Sequence, residues 1–194
     1  MTSNPLSRRT LLSRAAALAA SRPAAAGALA AAPLAAARAA PLSFADGERL
    51  ALHNLHTGEQ VDVVLHDRGR RLPDAKAEID RVLRDHRSGH VHPIDDGVLD
   101  QLLALRQRLG LRQPFDVISG YRSPATNARL AAASDGVART SLHMQGRAVD
   151  IRAPGLDLRT LHRAALELGA GGVGYYAKSN FVHVDTGRVR RWGG

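Results

Sequence analysis

The order of elements along this chain predicts an α+β fold: one domain, with helices packed around a small antiparallel sheet. Three observations carry the prediction. Helical periodicity dominates residues 73–109, and strand-like patterning dominates the second half. The last two strand-like runs, Val173-Gly-Tyr-Tyr176 and Phe181-Val-His-Val-Asp185, are separated by only Ala177-Lys-Ser-Asn180, as in a hairpin.

Each element has a local reason. Arg49-Leu-Ala-Leu-His-Asn-Leu-His56 and Gln60-Val-Asp-Val-Val-Leu65 flank Thr57-Gly58-Glu59 and read as a first hairpin. Pro73-Asp74 opens a helix with Ile79, Val82 and Leu83 at helical spacing and Gly89 as its stop. A second helix starts near Asp95-Asp96, sets Val98, Leu102, Leu105 and Leu109 on one side, and stops at Gly110. Phe115-Asp-Val-Ile-Ser119 reads as a buried strand. Ser123 and Pro124 supply an N-cap and a first-turn proline for a short helix through Ala133. Arg147 to Arg152 is a strand, and Asp157 caps a helix that runs through Leu168 and ends at Gly169. The chain carries no internal repeat.

The N-terminus stands apart. Ser7-Arg-Arg-Thr-Leu-Leu12 resembles a twin-arginine export signal; an alanine-rich stretch follows, and Ala37-Arg-Ala39 offers a small-x-small cleavage site. Arg22 and Pro23 interrupt that stretch, whereas a membrane-spanning helix needs about 20 consecutive apolar residues. The expected organisation is a signal peptide over residues 1–39 and a domain over 40–194, exported to the periplasm or cell envelope. Arg8, Arg9, Arg14, Arg22 and Arg38 fall in the leader and supply more than half of the formal net charge of +9. The remaining modest basicity suits an anionic polymer. Few aromatics and no recognisable nucleic-acid motif argue against DNA or RNA. With no cysteine, disulfides, thiolate metal sites and a cysteine nucleophile are excluded.

The chemistry concentrates in Ser141-Leu-His-Met-Gln-Gly-Arg-Ala-Val-Asp150 and in Phe181-Val-His-Val-Asp185. His143 and Asp150 are seven residues apart, an odd separation that would face them oppositely on one strand. They share a metal only if the chain turns between them, and Gly146 permits the turn. His183 brings a third ligand from a distant strand. Two imidazoles and a carboxylate, with a fourth position for water, is the ligand count of a catalytic zinc site. His90-Val-His92 is a weaker metal pair, set beside Pro93 with no third ligand.

Ser-x-His-x-x-Gly-x-Ala-x-Asp with a later strand histidine resembles the superfamily of lysostaphin, D-Ala-D-Ala metallopeptidases and the hedgehog signalling domain. The murein endopeptidase K (YcbK-like) branch matches better, through Asn54-Leu-His-Thr-Gly-Glu59, Leu83-Arg-Asp-His-Arg87, Val117-Ile-Ser-Gly-Tyr-Arg-Ser-Pro124 and Gly171-Gly-Val-Gly-Tyr-Tyr176, and on to Trp192. The resemblance implies an antiparallel sheet with one zinc at its centre, bound by His143, Asp150 and His183. It also implies hydrolysis of peptidoglycan cross-links by metal-activated water, on stem peptides as substrate. A D,D-carboxypeptidase and a non-catalytic wall-binding domain with structural zinc are the rivals.

Two further residues are candidates for catalysis. Arg122 can hold a substrate carboxylate or a developing oxyanion, or it braces its loop against Asp116 or Asp135. Many superfamily members place a Glu, Asp or His two or three residues before the last zinc histidine, to act as base. Here those positions are Asn180 and Phe181, which leaves Asp185 as the candidate. Asp185 can equally hydrogen-bond a ligand or pair with Arg188 or Arg190. Ser141 and Gln145 are candidates to orient ligands, and Tyr121, Tyr175 and Tyr176 to wall a cleft or fill the core. Export should depend on Arg8 and Arg9: changing both to Lys is expected to leave precursor in the cytoplasm, scored by fractionation and precursor size, and normal processing would assign the leader to another route.

Overall fold

The computed structural model describes residues 48–134 and 137–193; the expected leader and cleavage site lie outside them. In chain order the elements are β1 (Glu48–Asn54), β2 (Gln60–Asp67), β3 (Arg70–Arg71), α1 (Pro73–Val82), α2 (Asp96–Arg108), β4 (Phe115–Ser119), α3 (Pro124–Ala133), a 3-10 turn (Leu142–Gln145), β5 (Ala148–Arg152), α4 (Leu158–Leu168), β6 (Gly172–Tyr176), β7 (Phe181–Asp185) and β8 (Arg190–Trp192). All eight strands join one sheet in the order β3-β2-β1-β4-β5-β7-β6-β8.

The α+β class holds, but the sheet is neither small nor purely antiparallel. β1 runs parallel to β4 and β6 parallel to β8, while the other five pairs are antiparallel. Burial explains the parallel β1–β4 pair. Leu50, Ala51 and Leu52 are all nearly inaccessible, so β1 is covered on both faces as an interior strand. A lone hairpin would cover one of its edges only. β3 and β8 are too short, and too rich in arginine, to show any period in the sequence.

Alternation along the central strands divides the sheet into a packing face and a chemical face. Val149 and Ile151 of β5 and Val182 and Val184 of β7 join one apolar cluster with Ile79 of α1, Leu99, Leu102 and Leu103 of α2, and Leu161 of α4. Asp150 and His183, the residues between them, therefore face the other way, and they sit directly opposite each other in the β5–β7 register. Caps fix the helix starts: Asp95, Ser123 and Asp157 each accept from a backbone N–H in the first turn of α2, α3 and α4, worth about 1 kcal/mol apiece.

The first helix ends at Val82, well short of the predicted stop at Gly89. Tertiary contacts take over its last carbonyls. Asn54 Nδ2 donates to the Val82 carbonyl at 2.8 Å, and Tyr121 N donates to the Leu83 carbonyl at 2.8 Å. The chain then turns through residues 85–90, closed by Gly89 N donating to the Asp85 carbonyl and Asp85 N to the His90 carbonyl. This turn delivers Asp85, 1% exposed, to the loop after β4. Its carboxylate accepts from Arg87 N at 2.9 Å, Ser123 N at 2.9 Å and Ser123 Oγ at 2.7 Å. Burial opposes its charge, but the hydrogen bonds from Thr126, Ser123 and Arg87 prevail and hold its pKa well below the usual carboxylate range.

A carboxylate whose folded pKa is depressed stabilises the protein above its unfolded pKa of about 4, and the contribution disappears as the pH falls through the folded value. Asp85→Ala is expected to cost about 2–3 kcal/mol at neutral pH by stranding buried donors. The difference between wild type and variant in denaturant melts should shrink below pH 4. A variant as stable as wild type at pH 7 would refute this role.

Candidate metal centre

Local sequence explains how each ligand arrives. Ser141 caps the 3-10 turn, its Oγ accepting from His143 N at 3.3 Å. Gly146 then adopts φ +66° and reverses the chain into β5. A side chain at 146 would be strained in that conformation, and its Cβ would stand 2.3 Å from the Pro93 carbonyl oxygen. Asp150 and His183 enter from β5 and β7 as cross-strand partners.

The three side chains converge in the middle of the sheet, with His143, Asp150 and His183 at 2%, 2% and 8% exposure. His143 Nε2 lies 3.2 Å from Asp150 Oδ1 and 3.2 Å from His183 Nδ1, and His183 Nδ1 lies 2.8 Å from Asp150 Oδ1. Tetrahedral zinc with bonds of about 2.0–2.1 Å has ligand atoms about 3.3 Å apart; the two edges at His143 Nε2 match this, and the His183–Asp150 edge is about 0.5 Å shorter. Among the described residues this is the one group of three or more such side chains able to hold a metal ion.

What lies behind each ligand settles which atom faces inward. His143 Nδ1–H donates to the Gly120 carbonyl at 2.7 Å, leaving Nε2 with its lone pair. His183 Nε2–H donates to Asp185 Oδ2 at 3.0 Å, leaving Nδ1. Arg122 Nη2 donates to Asp150 Oδ2 at 2.5 Å, leaving Oδ1 for the centre. Arg122 is itself held by Ser119, which accepts from its Nε at 2.8 Å. A bulge makes that contact possible. Val117 pairs with Ile151 but Ser119 pairs with Asp150, so Ile118 is the extra residue and Ser119 turns onto the chemical face.

Electrostatics follow from these contacts. Burial opposes the charge of Asp150, but His143 and His183 prevail and hold its pKa well below the usual range. Burial depresses the pKa of His143. For His183 burial acts the same way, yet the hydrogen bonds to Asp150 and Asp185 outweigh it and raise its pKa.

Asp185, fully buried, accepts five hydrogen bonds. Gly172 N, Gly187 N and Arg190 Nη1 reach Oδ1 at 3.0, 2.8 and 3.0 Å, and His183 Nε2 and Arg190 Nη2 reach Oδ2 at 3.0 and 2.7 Å. The sequence allowed it three roles, and two of them, bonding a ligand and pairing with Arg190, are both present. Of the two braces offered for Arg122, Asp116 is taken by His53 and Arg152, and Asp135 lies outside the described residues. Gln145 is exposed and accepts from Arg147. Tyr121 stacks on His92, which leaves His90 and His92 without a shared third ligand among the described residues. Tyr175 packs near His162. The sequence assigned no site role to Asp85 or Ser119. Asp85 lies inside the matched run Leu83-Arg-Asp-His-Arg87, where nothing local distinguishes it.

A cleft of about 350 Å³ opens over the centre. Arg122, His143, Asp150 and His183 line it, together with Leu142, Tyr176, Phe181 and Trp192.

The chain resembles known proteins over most of its length. A peptidase family model described as peptidoglycan L,D-endopeptidase MepK matches residues 43–192. The chain is 46% identical over 143 residues to the peptidoglycan L,D-endopeptidase MepK of Escherichia coli K12, spanning 74% of this chain and 79% of that one. It is 40% identical over 146 residues to the probable peptidoglycan L,D-endopeptidase MepK of Haemophilus influenzae, spanning 75% and 78%. With a family model covering most of its length and relatives this similar, the chain belongs to the MepK family of peptidases.

Proposed function

We propose that residues 40–194 form a zinc-dependent endopeptidase that hydrolyses peptide cross-links of peptidoglycan. The observation that carries the reading is the convergence of His143 Nε2, Asp150 Oδ1 and His183 Nδ1, each with its other polar atom already committed. Zinc held there supplies a Lewis acid that polarises the scissile carbonyl and acidifies water. The names of the relatives support peptidoglycan as the substrate.

The chain's own residues prepare the site. Arg122 restricts Asp150 to one ligand oxygen, and its Nη1, without a partner among the described residues, is available to a substrate carboxylate at the cleft. Asp185 acts as a positioning residue for His183. Five donors occupy a carboxylate that offers about four lone-pair sites, so a proton-accepting role gains no support from its surroundings. The leader over residues 1–39 carries the domain across the membrane by the twin-arginine route, which suits a substrate outside the cytoplasm. No helix among the described residues is long and apolar enough to cross a membrane.

Replacing His143, Asp150 or His183 by Ala should remove most of the zinc measured by elemental analysis, while His90→Ala should keep it. Full occupancy in His183→Ala would overturn the ligand set. Asp185→Asn is expected to weaken zinc affinity about 10- to 100-fold; unchanged affinity with lost cleavage would return Asp185 to the chemistry. Purified sacculi digested with and without chelator decide the reaction. Cross-linked dimers should become monomers only without chelator, loss of terminal D-Ala alone would indicate a carboxypeptidase, and binding without cleavage would indicate a wall-binding module.

A further inference from the structure

The short strand β8, invisible in the sequence, reaches the metal centre along a single chain of contacts. Arg190 grips Asp185 with both terminal nitrogens, and its guanidinium carbon lies 4.8 Å from the centre of the Trp192 ring. Trp192 pairs with Gly174, which in turn lies opposite His183. Gly174 leaves room for the indole: a Cβ there would stand 2.5 Å from Trp192 Cε2. The indole and His183 rings are 5.1 Å apart, and Trp192 Nε1–H donates to the Tyr176 hydroxyl oxygen at 2.9 Å.

Tyr176 and Phe181 are the cross-strand pair beyond Gly174 and His183, with rings stacked at 4.5 Å. Being two residues along each strand, they share the face of His183, about 7 Å away by strand rise. Both line the cleft. A phenol that accepts from an indole still has its own O–H to give. Among the described residues nothing accepts that proton. Of the two arginines that line the cleft, Arg190 is committed to Asp185, and Arg122 has Nε and Nη2 committed to Ser119 and Asp150, its Nη1 being left for a substrate carboxylate.

We propose that Tyr176 donates a hydrogen bond to the scissile carbonyl oxygen as negative charge develops on it during peptide hydrolysis. Trp192, itself held by Arg190 against Asp185, aims the hydroxyl. The phenol keeps its proton throughout; its contribution is a fixed dipole directed at the charge. The same carboxylate thus steadies both a ligand ring and, through two further side chains, the donor. The inference rests on the hydrolytic reading above.

Steady-state cleavage of cross-linked muropeptide dimers by the zinc-loaded protein tests it. Tyr176→Phe preserves the stack on Phe181 and should lower kcat by about 10²-fold or more, with KM and zinc content near wild type. Trp192→Phe leaves the hydroxyl without its aiming donor and should lower kcat by about 10-fold at full zinc. A Tyr176→Phe kcat within about threefold of wild type, or a change confined to KM, overturns the proposal. If Tyr176→Phe loses zinc or unfolds, Trp192→Phe decides alone: a fall in kcat with zinc retained upholds the donor, and an unchanged kcat overturns it. Wild-type protein that cleaves no dimer overturns the hydrolytic reading and this proposal together, whereas active wild type with an unimpaired Tyr176→Phe overturns only the proposal.

Discussion

Two imidazole nitrogens and a carboxylate oxygen face one another across 2.8–3.2 Å in the interior of the sheet. Such lone pairs repel unless positive charge stands among them, and burial denies them water to screen that repulsion. A proton meets the need in part, as the raised pKa of His183 reflects. A divalent cation would meet it for all three. The surroundings serve to keep this array from relaxing, because each ligand is tied from behind by a group that cannot move without disturbing the fold.

Those ties come from distant parts of the chain. Gly120 carbonyl and Arg122 belong to the loop after β4, and that loop is pinned by Asp85 from the turn after α1. The pinning is close enough that a Cβ on Gly120 would stand 2.3 Å from the Leu83 carbonyl oxygen. Asp185 is tied to α2 as well, since Gln101 Nε2 donates to its carbonyl at 3.0 Å. Buried charge therefore contributes here to placement. An isolated ion pair in such a setting is weak evidence for stability, but a carboxylate with every lone pair engaged fixes the orientation of its neighbours.

The sheet architecture serves the same end. An antiparallel β5–β7 pair sets Asp150 opposite His183, and the strands added on either side bury that pair in the centre. The β4 bulge redirects Ser119 to the ligand face, and the parallel strand β8 closes the other side with Trp192 over Gly174. The cleft is lined by His143, Asp150 and His183 and by the aromatic residues Tyr176, Phe181 and Trp192.

Local chemistry determined much of this protein. Caps at Asp95, Ser123 and Asp157, stops at Gly110 and Gly169, and alternation through β5 and β7 made most elements legible, as did the turn at Gly146, and motif spacing marked out His143, Asp150 and His183. The caps, stops, alternation and turn depend on residues close in sequence, where steric and hydrogen-bonding preferences act without knowledge of the fold; the meeting of His183 with Asp150 depends instead on the β5–β7 pairing. Tertiary structure alone decided the parallel partners of β1 and β6, the early end of α1 and the bulge at Ile118. It also decided that Asp185 supports His183 and that Arg122 grips Asp150. A carboxylate or guanidinium has the same sequence signature whichever partner it finds. The partner is chosen by which distant backbone the hydrophobic core brings within about 3 Å, the range over which a hydrogen bond acts.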